Sequence, residues 1–447
     1  MNRIADRILI LLNPVHPVKM CRVSGLAKLI DHDLQYARKW LNHCRSGTML
    51  EVADALEIVL GRAKPLKPEI TALMSSSLGQ VIADDIHADV DSPPFDKALM
   101  DGYAVRSADV VNGVAELRIV EEVGAGSVPT QTISAGECTA LYTGAPLPTG
   151  ADAVVKKELV AVLADNRIRV NDPSVKPGRH VMARGDEMRT GEVVLPRGTV
   201  ITPAVFGLCA TVGKTAVPCI PPAQVSIFVT GNELVEANRK PRGGQIRNSN
   251  GPMLVAQTAR AGALPRYLGV GTDDEAVLGS LVREGLLSNV LILSGGVSVG
   301  KFDLVPKVLE SLGVTIQFHH VRMKPGKPIL FGTKGDTLVF GLPGNPVSAF
   351  VGFELFVKPA LRVLSGNTVA WHPPVRATLA EPFTTSNDRP TYHPAKLHGD
   401  KTGATVTPLP WSGSADLRAM LNANALLVLP AGDVRGETGD VMDVMVL

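Results

Sequence analysis

Apolar positions along this chain follow two spacings, and the clearest change from one to the other lies past its middle. From Asn289 to Leu312 the sequence reads NVLILSGGVSVGKFDLVPKVLESL. Val290 to Leu293 form an unbroken apolar run, Ser294-Gly295-Gly296 and Gly300 interrupt it, and Val305, Val308, Leu309 and Leu312 resume at helical spacing. A short apolar run bounded by glycines predicts a buried strand of a parallel sheet, and the periodic run predicts a helix. The glycine-rich loop then lies at the carboxyl end of a strand, where open α/β sheets hold ligands. Backbone N–H groups there can meet an anion, because glycine permits close approach and a helix amino end is partly positive. Asp303 falls in the first turn of that helix, a place that also favours an acid for structural reasons alone.

Two other stretches repeat the arrangement. Val225 to Thr230 (VSIFVT) stops at Gly231-Asn232-Glu233-Leu234. Thr337 to Leu342 (TLVFGL) stops at Pro343-Gly344-Asn345-Pro346-Val347-Ser348-Ala349, ahead of a helix over Phe350 to Leu364. Three such units predict one parallel sheet with three loops on the same edge. Nearer the start, a one-sided apolar pattern predicts a helix over Leu50 to Leu60, and Glu69 to Asp85 reads as a second helix broken near Gly79. Residues 103–182 alternate strand-like runs with turns, the spacing of a small β-barrel or sandwich. After Trp371, VRATLAEPF, ATVTPLP, NALLVLPA and VMDVMVL are again short strands. The chain thus divides into a basic extension (1–48), helical or linker segments (49–95 and 182–221), a β-rich insertion (96–181), an α/β domain (222–368) and a carboxy-terminal β-domain (369–447).

Composition excludes several classes. At 447 residues the chain exceeds what one core organises. A net charge of +2 gives no general case for nucleic-acid binding, and that charge is uneven. Residues 1–48 hold eight Lys/Arg against three Asp, a net of +5, which leaves −3 for the rest. This extension is expected to be poorly ordered, and Met49 is a plausible alternative start. The five cysteines show no paired spacing, against both a disulfide framework and a zinc site. No apolar run approaches the roughly 20 residues needed to span a bilayer, and a cytoplasmic location is expected.

Several polar stretches carry candidate chemistry. Asp96 and Asp101 stand in SPPFDKALMDGYAV, a loop that either presents an acid to a ligand or connects domains. In GGQIRNSN, Asn248 and Ser249 are good helix caps, and Arg247 can bind a phosphate. Asp273-Asp274-Glu275 can cap a helix or hold a metal, and hard oxygen ligands of this kind suit magnesium. In HVRMKPGKP, a proline-stiffened turn fixes Lys324 and Lys327 as point charges for an oxyanion. There is no Ser-His-Asp order and no complete G-x-x-x-x-G-K-[ST] loop. Acids beside lysines suit Mg²⁺-assisted work on a phosphorylated ligand, and residue chemistry alone carries the reading no further.

The stretches SPPFDKALMDGYAV, LYTGAPLPTGADAVV, VTGNELV, GQIRNSN, LSGGVSVGKFD, MKPGKP and GLPGNPVSAF, in this order over residues 49–447, closely resemble the MoeA family of molybdopterin molybdenumtransferases, which includes the E domain of gephyrin. The resemblance implies a three-layer, MogA-like molybdopterin-binding α/β domain with a β-rich insertion, an elongated linker domain and a barrel-like carboxy-terminal domain. It implies an enzyme that takes adenylylated molybdopterin and molybdate, uses Mg²⁺, and releases molybdenum cofactor with AMP. Asp101, Thr143, Glu233, Asp273, Asp303 and Lys324 match the family's functional positions, with Glu233, Asp273 and Asp303 at the metal. Ser294, Gly295, Gly296, Ser298, Gly300, Asn248, Ser249, Lys327, Pro343, Gly344, Asn345, Pro346 and Ser348 match its ligand-binding loops. It implies a homodimer with the site between subunits, and the adenylyltransferase of the preceding step as a partner. His320 stands where bacterial members often carry lysine, which makes one anion contact pH-dependent. Pro394 stands where an arginine is expected five residues after Arg389. The rivals are an adenylyltransferase, which would lack the insertion and the last domain, and a scaffold that has lost its chemistry.

Overall fold

The computed structural model describes residues 49–297, 304–401 and 403–447. Residues 1–48, and Ser298, Gly300 and Asp303 of the glycine loop, lie outside the described residues.

In the α/β domain the strands are β1 (Gln224–Thr230), β2 (Leu264–Gly271), β3 (Val290–Ser294), β4 (Thr315–Phe318), β5 (Leu330–Lys334) and β6 (Thr337–Leu342). Its helices are α1 (Asn250–Arg260), α2 (Glu275–Gly285), α3 (Leu304–Ser311) and α4 (Pro346–Gly352). Beyond α4 the helix continues through a π-helical turn, Phe353–Val357, into Lys358–Leu364. The sheet order is β2-β1-β3-β6-β5-β4. The first four of these are parallel, so the three strand-and-loop units expected to be parallel are so. β5 alone runs the other way, antiparallel to both β6 and β4, and the whole sheet is a mixed one. The cause is local: only Gly335 and Asp336 separate β5 from β6, and so short a link makes a hairpin, never a parallel crossover.

Alternation along the strands gives the sheet two buried faces. Val225, Ile227, Ile292 and Phe340 pack with Leu254 of α1, with Phe353 and Leu361, and with Ala55, Leu56 and Val59 of the helix Val52–Arg62. Phe228, Leu291, Leu293 and Val339 pack against Leu278 and Val282 of α2 and Val305 and Val308 of α3. The result is helix, sheet, helix: three layers, with all three strand-end loops on one edge.

The segment expected as a second helix is not one. Glu69–Ala72 is a strand, Ser75–Ser77 a 3₁₀ turn and Val81–Ile82 another strand. Both strands pair antiparallel with Ala216–Ile220, in register from Glu69 opposite Cys219 to Ala72 opposite Ala216. That partner strand supplies Val217 and Cys219 to a core with Ile82, Ile201 and Val205. A distant strand overrides local helix preference, as tertiary context commonly does.

The insertion is a single six-stranded sheet, with Gly102–Val105, Val114–Val123 and Glu137–Leu141 at its centre, in place of the expected small barrel or sandwich. The last domain is a closed barrel of Val375–Leu379, Thr391–Asp400, Gly403–Pro408, Ala425–Leu429 and Val441–Val446, around Leu379, Val406, Leu427 and Val444. Cys138, Cys209 and Cys219 are buried and free. Among the described residues no helix is long and apolar enough to cross a membrane.

Candidate functional site

β3 ends at Ser294, and the chain then turns through Gly295 (φ +97°) and Gly296 (φ +61°). A Cβ on Gly295 would lie 2.1 Å from the Thr230 carbonyl oxygen, and one on Gly296 would lie 2.8 Å from Val305 Cγ2. Only glycine lets this turn fit between the end of β1 and the start of α3.

A cavity of about 950 Å³ opens at this edge of the sheet. It gathers Glu233 from the loop after β1, Asn248 and Ser249 from the loop before α1, and Asp273 from the loop after β2. Ser294, Gly295 and Gly296 come from the turn after β3, and Pro343, Gly344, Asn345 and Pro346 from the loop after β6. Ser348 is buried inside α4 and does not line it. Lys324 and Lys327 do not line it either, although Pro328 does.

Local hydrogen bonds decide which polar groups remain for a ligand. The cap of α2 is Asp274, whose Oδ1 accepts from the N–H groups of Ala276 and Val277 at 3.0 Å. Asp273 is thereby released to the cavity, where its Oδ1 accepts from Thr230 Oγ1 at 3.0 Å and its N–H donates to Asn232 Oδ1 at 3.1 Å. At α1 the cap is Asn248, which accepts from Gly251 N–H at 2.9 Å, while Ser249 makes no side-chain cap bond. Asn248 also donates to the Tyr267 hydroxyl at 2.7 Å, and that hydroxyl donates to Glu236 at 3.0 Å. Burial and the Glu236 carboxylate push the Tyr267 phenol above its ordinary range, so it stays protonated.

The lysine turn is clamped to the barrel. Lys324 N–H donates to Pro390 carbonyl oxygen at 2.8 Å, and Tyr392 N–H donates to the Lys324 carbonyl at 2.8 Å. Arg389, one residue before Pro390, pairs with Asp388 at 3.0 Å, and Pro394 takes a ladder position opposite Leu426. Val347 N–H donates to Ser414 carbonyl oxygen and Asn345 Nδ2 to Ser414 Oγ at 2.9 Å, which brings the barrel's 410–416 loop against the cavity rim at Ala415. His320 stacks on His319 with ring centroids 4.8 Å apart, and His319 Nε2 is 3.0 Å from the Val297 carbonyl. Burial, His319 and Lys327 hold His320 below the ordinary histidine range, so it is neutral near pH 7.

Asp101 and Thr143 lie in the insertion and do not line this cavity. Asp101 Oδ1 accepts from Thr143 N–H (2.9 Å) and Oγ1 (2.8 Å), and Oδ2 is 3.4 Å from Lys157 Nζ. These bonds, led by the Thr143 backbone N–H, hold the Asp101 carboxyl below its ordinary value and keep it ionised. Asp96 accepts from Arg184 N–H at 2.8 Å, so the two aspartates of one loop have separate tasks.

Thr230, Asn232 and Asn250 also line the cavity. Thr230 and Asn232 stand in VTGNELV and Asn250 in GQIRNSN, but an Asn or Thr beside a helix or strand end reads equally as a cap. Among the described residues no group of three or more His, Cys, Asp or Glu could hold a metal ion. Glu233 and Asp273 give one cavity two carboxylates, which fits the preference of Mg²⁺ for one or two such ligands plus substrate phosphates.

Three family profiles match the chain in sequence: the MoeA N-terminal region (domain I and II) over residues 50–213, a probable molybdopterin binding domain over 226–363, and the MoeA C-terminal region (domain IV) over 376–447. A molybdopterin molybdenumtransferase of Staphylococcus aureus strain Mu50 is 34% identical over 401 residues, which covers 89% of this chain and 95% of that protein. Its counterpart in Bacillus subtilis strain 168 is 34% identical over 407 residues, covering 90% and 94%. The crystal structure of the molybdopterin biosynthesis MoeA protein from Pyrococcus horikoshii OT3 superposes with a TM-score of 0.76 at 29% identity, over 90% of this chain and all of that one. Order of domains, cavity and relatives agree, and the chain belongs to the MoeA family.

Proposed function

We propose that this protein is a molybdopterin molybdenumtransferase that takes adenylylated molybdopterin and molybdate and releases molybdenum cofactor and AMP. One observation carries the reading: loops after four parallel strands converge on a single cavity that holds two carboxylates, beside a lysine turn clamped to the barrel. The glycine turn and the loop after β6 offer backbone N–H groups to the ligand's anionic part. Lys324 and Lys327 carry the charge that molybdate or phosphate requires. Glu233 and Asp273, with Asp303, would hold Mg²⁺, which supplies charge neutralisation at phosphate oxygens. The chain's own residues orient the phosphates and exclude competing positions.

In this reading Asp101, Thr143 and Lys157 complete the site of a second copy in a homodimer. Their carboxylate, hydroxyl and ammonium form an ionised, pre-oriented cluster with no contact to their own cavity. The decisive assay follows AMP release from adenylylated molybdopterin with and without molybdate and Mg²⁺. Molybdate-dependent release, abolished by a metal chelator, is expected. Tight binding without release would instead favour the scaffold. Asp101→Ala and Lys324→Ala subunits should each be inactive, yet mixed subunits should regain activity. If mixing restores nothing, the shared site is wrong.

A further inference from the structure

Asn250 opens α1 and is 7% exposed, buried at the point where three of the site's loops meet. Its Nδ2 donates to Ser294 Oγ at 2.9 Å and to the Gly344 carbonyl at 2.8 Å. Ser294 Oγ in turn donates to the Pro343 carbonyl at 2.9 Å. The orientation of the amide follows from chemistry. A carbonyl only accepts, and the serine proton is already committed to Pro343, so the nitrogen of Asn250 must face both. Its Oδ1 is left sealed from solvent without a donor. An apolar side chain of similar size would fill this space with no unpaired acceptor, but it would not bridge the loops.

The bridge fixes two successive peptide planes. In a trans peptide the N–H points opposite to the C=O. Holding the Pro343 and Gly344 carbonyls toward Ser294 and Asn250 therefore turns the Gly344 and Asn345 N–H groups the other way. Neither N–H donates to a backbone acceptor among the described residues. Successive N–H groups aimed together form an anion-binding concavity.

We propose that Asn250 is a positioning residue for substrate binding: through Ser294 and Gly344 it locks the loop after β6 so that two backbone N–H groups are presented to an anionic group of the ligand. This deepens the transferase reading and rests on it for the identity of the ligand, though not for the anion site itself.

The test compares full-length wild type with Asn250→Asp, Asn250→Leu and Ser294→Ala. Titrations use molybdopterin and, as a bare anion, inorganic pyrophosphate, alongside thermal melts and amide hydrogen exchange over 340–347. Asn250→Asp is nearly isosteric but replaces the donor by a carboxylate facing two acceptors. Both Asn250 variants should raise Kd for both probes and KM for turnover about tenfold or more, with kcat kept, because misplaced binding groups cost at least that much. Exchange over 340–347 should rise, and Ser294→Ala, which leaves the Gly344 bond, should do less. A fall in thermal midpoint with unchanged Kd would make the residue merely structural and overturn the proposal. Wild-type binding of pyrophosphate without molybdopterin would sink the transferase reading and leave this one standing. Should wild type bind neither probe, unchanged exchange in the Asn250 variants overturns it, and raised exchange supports the lock.

Discussion

Gly295 shows how much one missing Cβ controls. Its φ of +97° and the 2.1 Å approach to the Thr230 carbonyl leave no room for a side chain. Gly295→Ala should cost about 2–3 kcal/mol of stability, the scale of a forced backbone conformation, and should abolish ligand binding. A denaturation midpoint with a ligand titration checks both, and wild-type binding in that variant would remove the turn from the site. At this scale the glycines, Glu233 and Asp273 were legible as cavity residues from residue type and spacing, whereas Lys324 and Lys327 stand outside the cavity lining. The division of labour between neighbours was not. Nothing in Asp273-Asp274 says which carboxylate caps α2, because the choice depends on where β2 ends and on Thr230 standing across the cleft.

At the scale of elements, the helix following β6 carries a buried acid. Glu354 is 1% exposed, in the π-helical turn, and accepts from Gln257 Nε2 (2.9 Å), Arg260 Nη2 (2.5 Å) and Lys358 Nζ (2.8 Å). It ties α1, which bears Asn250, to the helix that begins at the cavity rim. Glu354 is the buried member while Arg260 and Lys358 reach solvent, so Glu354→Ala loses charge-assisted hydrogen bonds without stranding a buried charge and should destabilise by about 1.5–3 kcal/mol. Equilibrium urea unfolding measures this, and a change within error would make the network superficial. Strand and helix periods were readable for β1, β3, β6 and α3, since each is buried on known faces. The Glu69–Asp85 segment was not, because its strands exist only against Ala216–Ile220.

Over the whole molecule, three histidines share one response to pH. His180, His320 and His393 are all held below 6.5, each chiefly by burial. Neighbouring groups add to this, Arg179 and Lys156 at His180, His319 and Lys327 at His320 and Lys324 at His393, while Asp172 at His180 and the hydrogen bond to the Leu409 carbonyl at His393 oppose it. In the unfolded chain each takes a proton near pH 6.5, before the folded one does. The folded state is therefore fully favoured above that pH and loses stability as pH falls through 6.5 toward the lower folded values. Thermal midpoints measured from pH 8 to 5 should drop below 6.5, and His320→Gln should shallow the slope. A flat profile would show that these rings are solvated. Anion binding at the lysine turn gains nothing from His320 near neutral pH and should strengthen only well on the acid side.

The sequence by itself determined the strand, loop and helix units at β1, β3 and β6 and the loops that line the cavity, because burial and backbone freedom are written in apolar period and glycine position, while the three layers were legible only through the family resemblance. Tertiary structure alone decided the mixed sheet direction, the strand at Glu69–Ala72, the clamp of the lysine turn on the barrel and the Asn250 bridge. Each of these is a pairing between residues distant in the chain, and a hydrogen bond between distant residues has no local period to betray it.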